Sequence, residues 1–321
     1  MQARKISLWL SSLLVLTLPV ARLSTEDSVW RCLIGDRAMA DMSVMGNPER
    51  VWGQVSPLLF RSGAVIEPVE ERMLGGADKI VLVDCFYNNE WRKDKEGRPV
   101  RYHYVWDDTT NSGFSILGRI ISKLGAAIDT LCEAPTMQSL SGASIYMIVD
   151  PDTPLETEHP NFIDARAIDA IVKWVRKGGV LLLMGNDKGN AEFEHFNELA
   201  AQFGIRFNED SRNRVTGKDY DVGKFDSFPD HPLFKGVKQI FIKELSTLSV
   251  QEPATVIFSD RGDAIMAFAR LGKGVVFAVG DPWLYNEYMD HRRLPEGYEN
   301  DKAAENLFRW LLENAAPVRV H

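Results

Sequence analysis

Four segments of this 321-residue chain place an acid or an amide directly after an apolar run. Asp84 closes residues 79–83 and leads to Asn88, Asn89 and Glu90; Asp150 closes residues 144–149 and leads to Asp152. Asn186 and Asp187 follow the run at 180–184, and Asp281 follows the run at 274–279 and leads to Trp283, Tyr285, Asn286 and Glu287. Carboxylates and amides that bond hydroxyl groups, set beside flat rings that cover C–H faces, suit a sugar. Arg212 and Arg214 lie on a polar loop, 208–226, long enough to fold over such a site. Two of the acids, Asp187 and Asp281, could instead act as an acid/base pair in glycoside cleavage, which requires a defined carboxyl separation. The plain alternative is loop chemistry, because Asp after a strand is a good turn residue and Asn186 or Asp187 can cap the next helix. One such acid is unremarkable, but four strand ends alike favour a ligand site. The acids lack EF-hand spacing, so no metal is expected, and no other cofactor is implied. Neither Ser nor Cys stands at the turn after a central strand, so a nucleophile elbow is absent.

These positions matter only if one scaffold gathers them. Residues 180–184, VLLLM, form a run too short for a helix and read as a strand buried on both faces of a parallel sheet. A polar turn and a helical pattern at Phe193, Phe196, Leu199, Ala200 and Phe203 follow at once. Further strands are read at 79–84, 127–131, 144–149, 205–207, 239–243, 254–259, 264–269 and 274–279, with a hairpin turn at 271–274. Helices are read from Asn111 or Ser112 to Leu124, over 162–177 and over 301–314, and Tyr102 to Trp106 reads as extended. The strand–loop–helix rhythm predicts an α/β fold with a doubly wound, mostly parallel sheet. Open sheets of this kind bind ligands outside the carboxyl ends of their strands.

The bulk properties narrow the function. A hydrophobic fraction of 45% allows a sizeable core, and a net charge of -8 with interspersed signs argues against nucleic-acid binding. Arg4 and Lys5 before the apolar stretch 6–21 have the layout of an export signal. The stretch is short for a spanning helix, so no stable membrane span is expected once it is removed. The division expected is a signal over 1–21, an extension over 22–77 and the α/β domain over 78–316, in a periplasmic or secreted bacterial protein. Cys32, Cys85 and Cys132 lack metal-ligand spacing; Cys85 and Cys132 lie near strand ends and allow one disulfide, with small buried residues the preferred reading.

The order of elements resembles the class I glutamine amidotransferase-like fold, a flavodoxin-like three-layer α/β/α arrangement. The resemblance puts that family's nucleophilic Cys at Gly185-Asn186 and its His at Gly280-Asp281-Pro282-Trp283. Both catalytic residue types are missing, so amidotransferase activity is not expected. A closer resemblance is to a domain attached to bacterial unsaturated rhamnogalacturonyl hydrolases, relatives of the unsaturated glucuronyl hydrolases. It is carried by VLVDCFYNNEW at 81–91, HYVWDD at 103–108, IYMIVDPDTP at 145–154, MGND at 184–187, EFEHFNELA at 192–200, SRNRV at 211–215 and GDPWLYNEY at 280–288. Residues 38–48, AMADMSVMGNP, also look like the start of the catalytic helical barrel, but 49–77 is too short to hold it. The resemblance implies an accessory role in pectic-polysaccharide breakdown, with an oligosaccharide as ligand and a separate glycoside hydrolase as a candidate partner. A hydrolase acting on unsaturated uronic-acid oligosaccharides and a docking module without a ligand are the alternatives.

Overall fold

The computed structural model describes residues 78–316. The expectations for 1–21, for 22–77 and for Cys32 lie outside the described residues. In chain order the elements are β1 (Ile80–Asp84), β2 (Trp91–Lys93), β3 (Pro99–Arg101), α1 (Ser115–Lys123), β4 (Ala127–Leu131), β5 (Ile145–Val149), α2 (Ala165–Arg176), β6 (Val180–Met184) and α3 (Phe193–Ala201). Then follow β7 (Ile205–Phe207), β8 (Lys224–Phe225), β9 (Ile240–Phe241), β10 (Leu248–Val250), β11 (Ala254–Asp260), β12 (Asp263–Leu271), β13 (Gly274–Val279), α4 (Asn286–Met289) and α5 (Asn300–Asn314).

Nine strands build the main sheet in the order β4-β1-β5-β6-β13-β12-β10-β7, with β11 paired to β12. The first five of that order run parallel, and the rest are antiparallel additions. Side chains alternate across the pleat. On one face Val81, Val83, Met147, Leu182 and Phe277 pack with Phe114, Leu117 and Ile121 near α1 and with Leu307 and Leu311 of α5. On the other, Leu82, Tyr146, Leu183 and Val276 pack with Ile171 and Trp174 of α2 and with Phe196 and Leu199 of α3. The result is the doubly wound, three-layer α/β/α sandwich that the sequence predicts. Among the described residues, no helix is long and apolar enough to cross a membrane.

Local chemistry explains the helix ends. The Asp164 carboxylate accepts from Ala167 N–H at 2.8 Å to open α2, and Lys173 and Arg176 sit in its last turn, beside the negative end of the dipole. Helix α1 has no cap of its own; Asn286, from the far end of the domain, accepts from Ile116 N–H at 2.7 Å. The helix begins at Ser115 rather than at Asn111 or Ser112, because residues 108–114 are spent in turns. Residues 102–106 are not a strand: His103 and Tyr104 take positive φ values of 56° and 47° and turn the chain over the sheet end.

The preferred reading of the cysteines is corrected, since Cys85 and Cys132 form a disulfide. They follow directly on paired strands, with Asp84 opposite Leu131 in the β1–β4 ladder, so the fold brings them together. Closing a loop of 47 residues restricts the unfolded chain by about 4 kcal/mol in the loop-entropy account. Peptide mapping under non-reducing conditions should recover the Cys85–Cys132 link, and Cys132→Ser should lose about 2–4 kcal/mol in denaturant unfolding.

Candidate functional site

The four strand-end groups come together at one edge of the sheet, but they divide by environment. Chain reversal between β1 and β5 creates the division: β1 leads to β4 on its one side, and β5 lies on its other. The loop after β1 leads towards α1 on one face, while the loop after β5 leads to α2 on the opposite face. This is the crevice in which open α/β sheets hold ligands.

Asp84 is a structural group. Its carboxyl accepts from Phe86 N–H at 3.2 Å, Tyr87 N–H at 2.7 Å and the Tyr146 hydroxyl at 2.6 Å. Burial lifts its pKa to about 7, and those hydrogen bonds pull the other way. Beyond it, Asn88 donates through Nδ2 to the Asp150 carbonyl at 2.9 Å, and Asn89 N–H donates to Asp152 Oδ2 at 2.9 Å. Glu90 meets His103 Nδ1 at 2.6 Å. Asp150 itself holds a left-handed backbone, φ 47°, a costly conformation for a non-glycine residue.

Asp150 and Asp281 are both shut away from water. Burial pushes the Asp150 carboxyl well above its ordinary range and Glu156 adds to the shift, while the Asn186 amide, 2.8 Å away, and the Tyr104 hydroxyl oppose it. Burial does the same to Asp281, against the pull of Lys243. Between them the Tyr104 and Tyr285 rings stack at 5.3 Å, and their hydroxyls share a hydrogen bond of 2.7 Å. Gly280 precedes Asp281 because a Cβ there would lie 1.7 Å from the Ser246 carbonyl oxygen.

Several expected ligand residues have other employment. Trp283 is only 2% exposed and packs in the core, so it offers no face to a sugar. Asn286 is buried and donates to the Asp108 and Thr110 carbonyls, tying the turn before α1 to α4. Glu287 is buried beside Arg293, with 2.9 Å between Oε2 and Nε. Asp187 is half-buried and accepts from Asn190 and, at 2.7 Å, from Ser211 Oγ, so it faces the covering loop. Arg212 pairs with Asp260 and Asp263 of the β11–β12 hairpin, and Arg214 is exposed. Arg212 does not fold over the carboxyl groups as expected, because the nearby hairpin acids capture it.

A groove of about 590 Å³ opens at the ends of β1 and β4, next to the loop that carries Asp84. Trp91, Arg101, Trp106, Asp107, Asp129, Thr130 and the disulfide line it. Trp91 is 53% exposed, and the Arg101 guanidinium lies 4.6 Å from its ring centroid. Asn89 Oδ1 accepts from Trp91 Nε1 at 2.9 Å and from Arg101, which fixes both side chains. Trp91, Arg101 and Trp106 are not among the residues expected at the site. A usable signal was present for Trp91, which sits among charged residues, WRKDKEG, whereas Trp283 stands between Pro282 and Leu284.

Neither a family model nor a curated protein matches the chain. Among solved structures it is similar to the mmIFT52 N-terminal domain, with a TM-score of 0.55 and 20% identity over 73% of this chain and 97% of that one. It is also similar to a cytoplasmic protein from Salmonella typhimurium LT2, with a TM-score of 0.50 and 15% identity over 74% of this chain and 100% of that one. A ThuA-like protein from Bacteroides uniformis aligns at a TM-score of 0.40 and 12% identity, over 73% of this chain and 91% of that one. The first two likenesses show the fold alone, and the third is too distant to add to it.

Two outcomes follow from these burial patterns. Trp283→Ala should cost about 3–5 kcal/mol, as for other buried aromatic truncations, and show as a large fall in melting temperature. For pH, an aspartate whose folded pKa is raised binds protons more readily in the folded state. Folding therefore carries a penalty above pH 7, and the penalty fades as pH falls towards 4. For Asp84 alone the shift corresponds to roughly 4 kcal/mol, and Asp150, Asp152 and Asp281 act with the same sign. Denaturant midpoints should be higher at pH 5.5 than at pH 8, and Asp84→Asn should narrow that difference.

Proposed function

We propose that the chain is a carbohydrate-binding accessory protein of pectic-polysaccharide breakdown, which holds an oligosaccharide at the carboxyl edge of its sheet without cleaving it. The observation that carries this reading is the groove with an exposed, hydrogen-bond-anchored tryptophan and an arginine beside it. A half-exposed indole covers a pyranose face, and Arg101, Asp107, Asp129 and Thr130 offer donors and acceptors for hydroxyls. Arg101 makes its hydrogen bonds to protein through Nη1, leaving the rest of the guanidinium for a ligand. The resemblance to the domain attached to rhamnogalacturonyl hydrolases supports the choice of pectic sugars. The disulfide supports an oxidising compartment and therefore export.

The arrangement of acids favours binding over hydrolysis. Asp281 is buried with its pKa pushed well above the ordinary range, and Asp187 accepts from Ser211 of the covering loop, so neither carboxyl is presented free at the surface.

A panel of neutral and acidic pectic oligosaccharides, titrated calorimetrically alongside a reducing-end assay, tests the reading. Wild type should bind at least one member and release no reducing ends. Trp91→Ala should weaken binding about ten- to a hundredfold, as loss of about 1–3 kcal/mol of apolar contact implies, while its melting temperature stays unchanged. Reducing-end release that is lost in Asp281→Asn would establish the hydrolase instead. Absence of binding across the panel would leave the docking module.

A further inference from the structure

The turn at 229–236 and helix α5 enclose a second cavity, of about 690 Å³, which shares no lining residue with the groove. Rings form its walls. His231 and Trp310 meet edge to face with centroids 5.6 Å apart, and Pro229 and Pro232 flank the histidine in the lining. Proline fixes φ, so the turn keeps one shape before any ligand arrives. Phe268 and Phe277 brace the indole in turn, with centroids at 6.0 and 6.3 Å. Three polar atoms of this lining remain without a hydrogen-bond partner among the described residues, and the bonds around them fix their roles. Asn306 spends both amide protons on the Leu233 and Lys235 carbonyls, at 3.2 and 3.0 Å, which leaves its Oδ1 as an acceptor. His231 Nδ1 accepts from Leu233 N–H at 3.3 Å, which puts the proton of the neutral ring on Nε2. Burial lowers the pKa of that ring and keeps it neutral. Trp310 Nε1 is a donor only. Asn306 and Trp310 stand four residues apart on one face of α5, and the bonds of Asn306 end two and four residues beyond His231, so the three groups are neighbours.

We propose that this cavity is a second binding site, which takes a neutral sugar ring against the His231–Trp310 pair and bonds its hydroxyls through Asn306 Oδ1 and the two ring N–H groups. Flat rings cover the C–H faces of a pyranose, and a set of one acceptor and two donors matches hydroxyl groups, which both give and accept. The charges at the rim select against an ion. Asp230 and Glu313 stand against Lys235 and Arg309, all four exposed, so an anion or a cation meets no net countercharge. The site is read from its own lining and stands whether or not the groove binds. With both occupied, one chain holds a polymer at two points, and the second contact gains from the effective concentration set by the first.

In the full chain, the indole N–H resonances of the tryptophans report on both places at once by heteronuclear NMR. Trp310→Phe keeps an aromatic ring and removes one resonance, which assigns it, and Trp91→Phe assigns the groove in the same way. Lactose, cellobiose and mannobiose, each added to about 10 mM, are the probes. At least one should move the Trp310 resonance saturably, with a Kd of about 10⁻³ M or tighter, and the movement should persist in Trp91→Ala. His231→Phe keeps the ring and removes the Nε2 proton; it should weaken that binding about two- to tenfold, as for one lost hydrogen bond, with the other indole resonances in place. The wild-type titration decides the matter if that variant does not fold. The proposal fails if no probe moves the Trp310 resonance at about 10 mM, or if galacturonate or phosphate moves it and the neutral sugars do not. Movement at Trp91 alone overturns this site and leaves the groove standing. Movement at Trp310 alone does the reverse.

Discussion

Strands β1 and β5 lie side by side, yet the chain leaves them towards opposite faces of the sheet, and the polar organisation of the molecule depends on how that divergence is bridged. Four hydrogen bonds join the two departing loops: Asn88 to the Asp150 carbonyl, Asp152 N–H to the Tyr87 carbonyl, Asn89 N–H to Asp152, and Asn161 to the Phe86 carbonyl. In three of the four, a backbone group beyond the ladder is satisfied by a side chain. This requirement places amides and acids at the carboxyl edge whether or not a ligand is there. A strand-end acid is therefore weak evidence for a site.

A second layer depends on the first. The segment 102–115 folds over the sheet end, and Tyr104 stacks on Tyr285 while Asn286 closes the first turn of α1. The start of α1 and the segment after β13 are thereby locked to each other across a separation of 170 residues. That closure removes Asp150 and Asp281 from water and raises their pKa values, so the electrostatics of the edge follow from packing. The margin along β4 stays open, and the aromatic groove lies there.

The scaffold was legible because its signals are local. Val180–Met184 is apolar without a break, α2 shows a clean period and the turn at 271–274 is glycine-rich, so strands, helices and the parallel core could be read directly. The positions of Asp84, Asp150, Asn186 and Asp281 at one edge followed from the same reasoning. Their exposure did not, because it is set by contacts over long separations, such as the stacking of Tyr104 on Tyr285. The same limit hid the site-lining residues. Arg101 matters only because a short hairpin, β2–β3, sets it over Trp91, and three-residue strands leave almost no periodic trace.

Strand β4 bounds the sheet, and a bounding strand presents a row of backbone groups on which a foreign strand could pair. Here the Trp106 indole donates to the Asp129 carbonyl at 2.8 Å, and Asp129 and Thr130 are exposed. The covalent tie at Cys132 then prevents the strand from peeling away from β1 at its far end. A bulky ring, a charge and a crosslink within a few residues make this margin a poor template for a second chain. The groove can remain open to solvent there without inviting self-association through strand exchange.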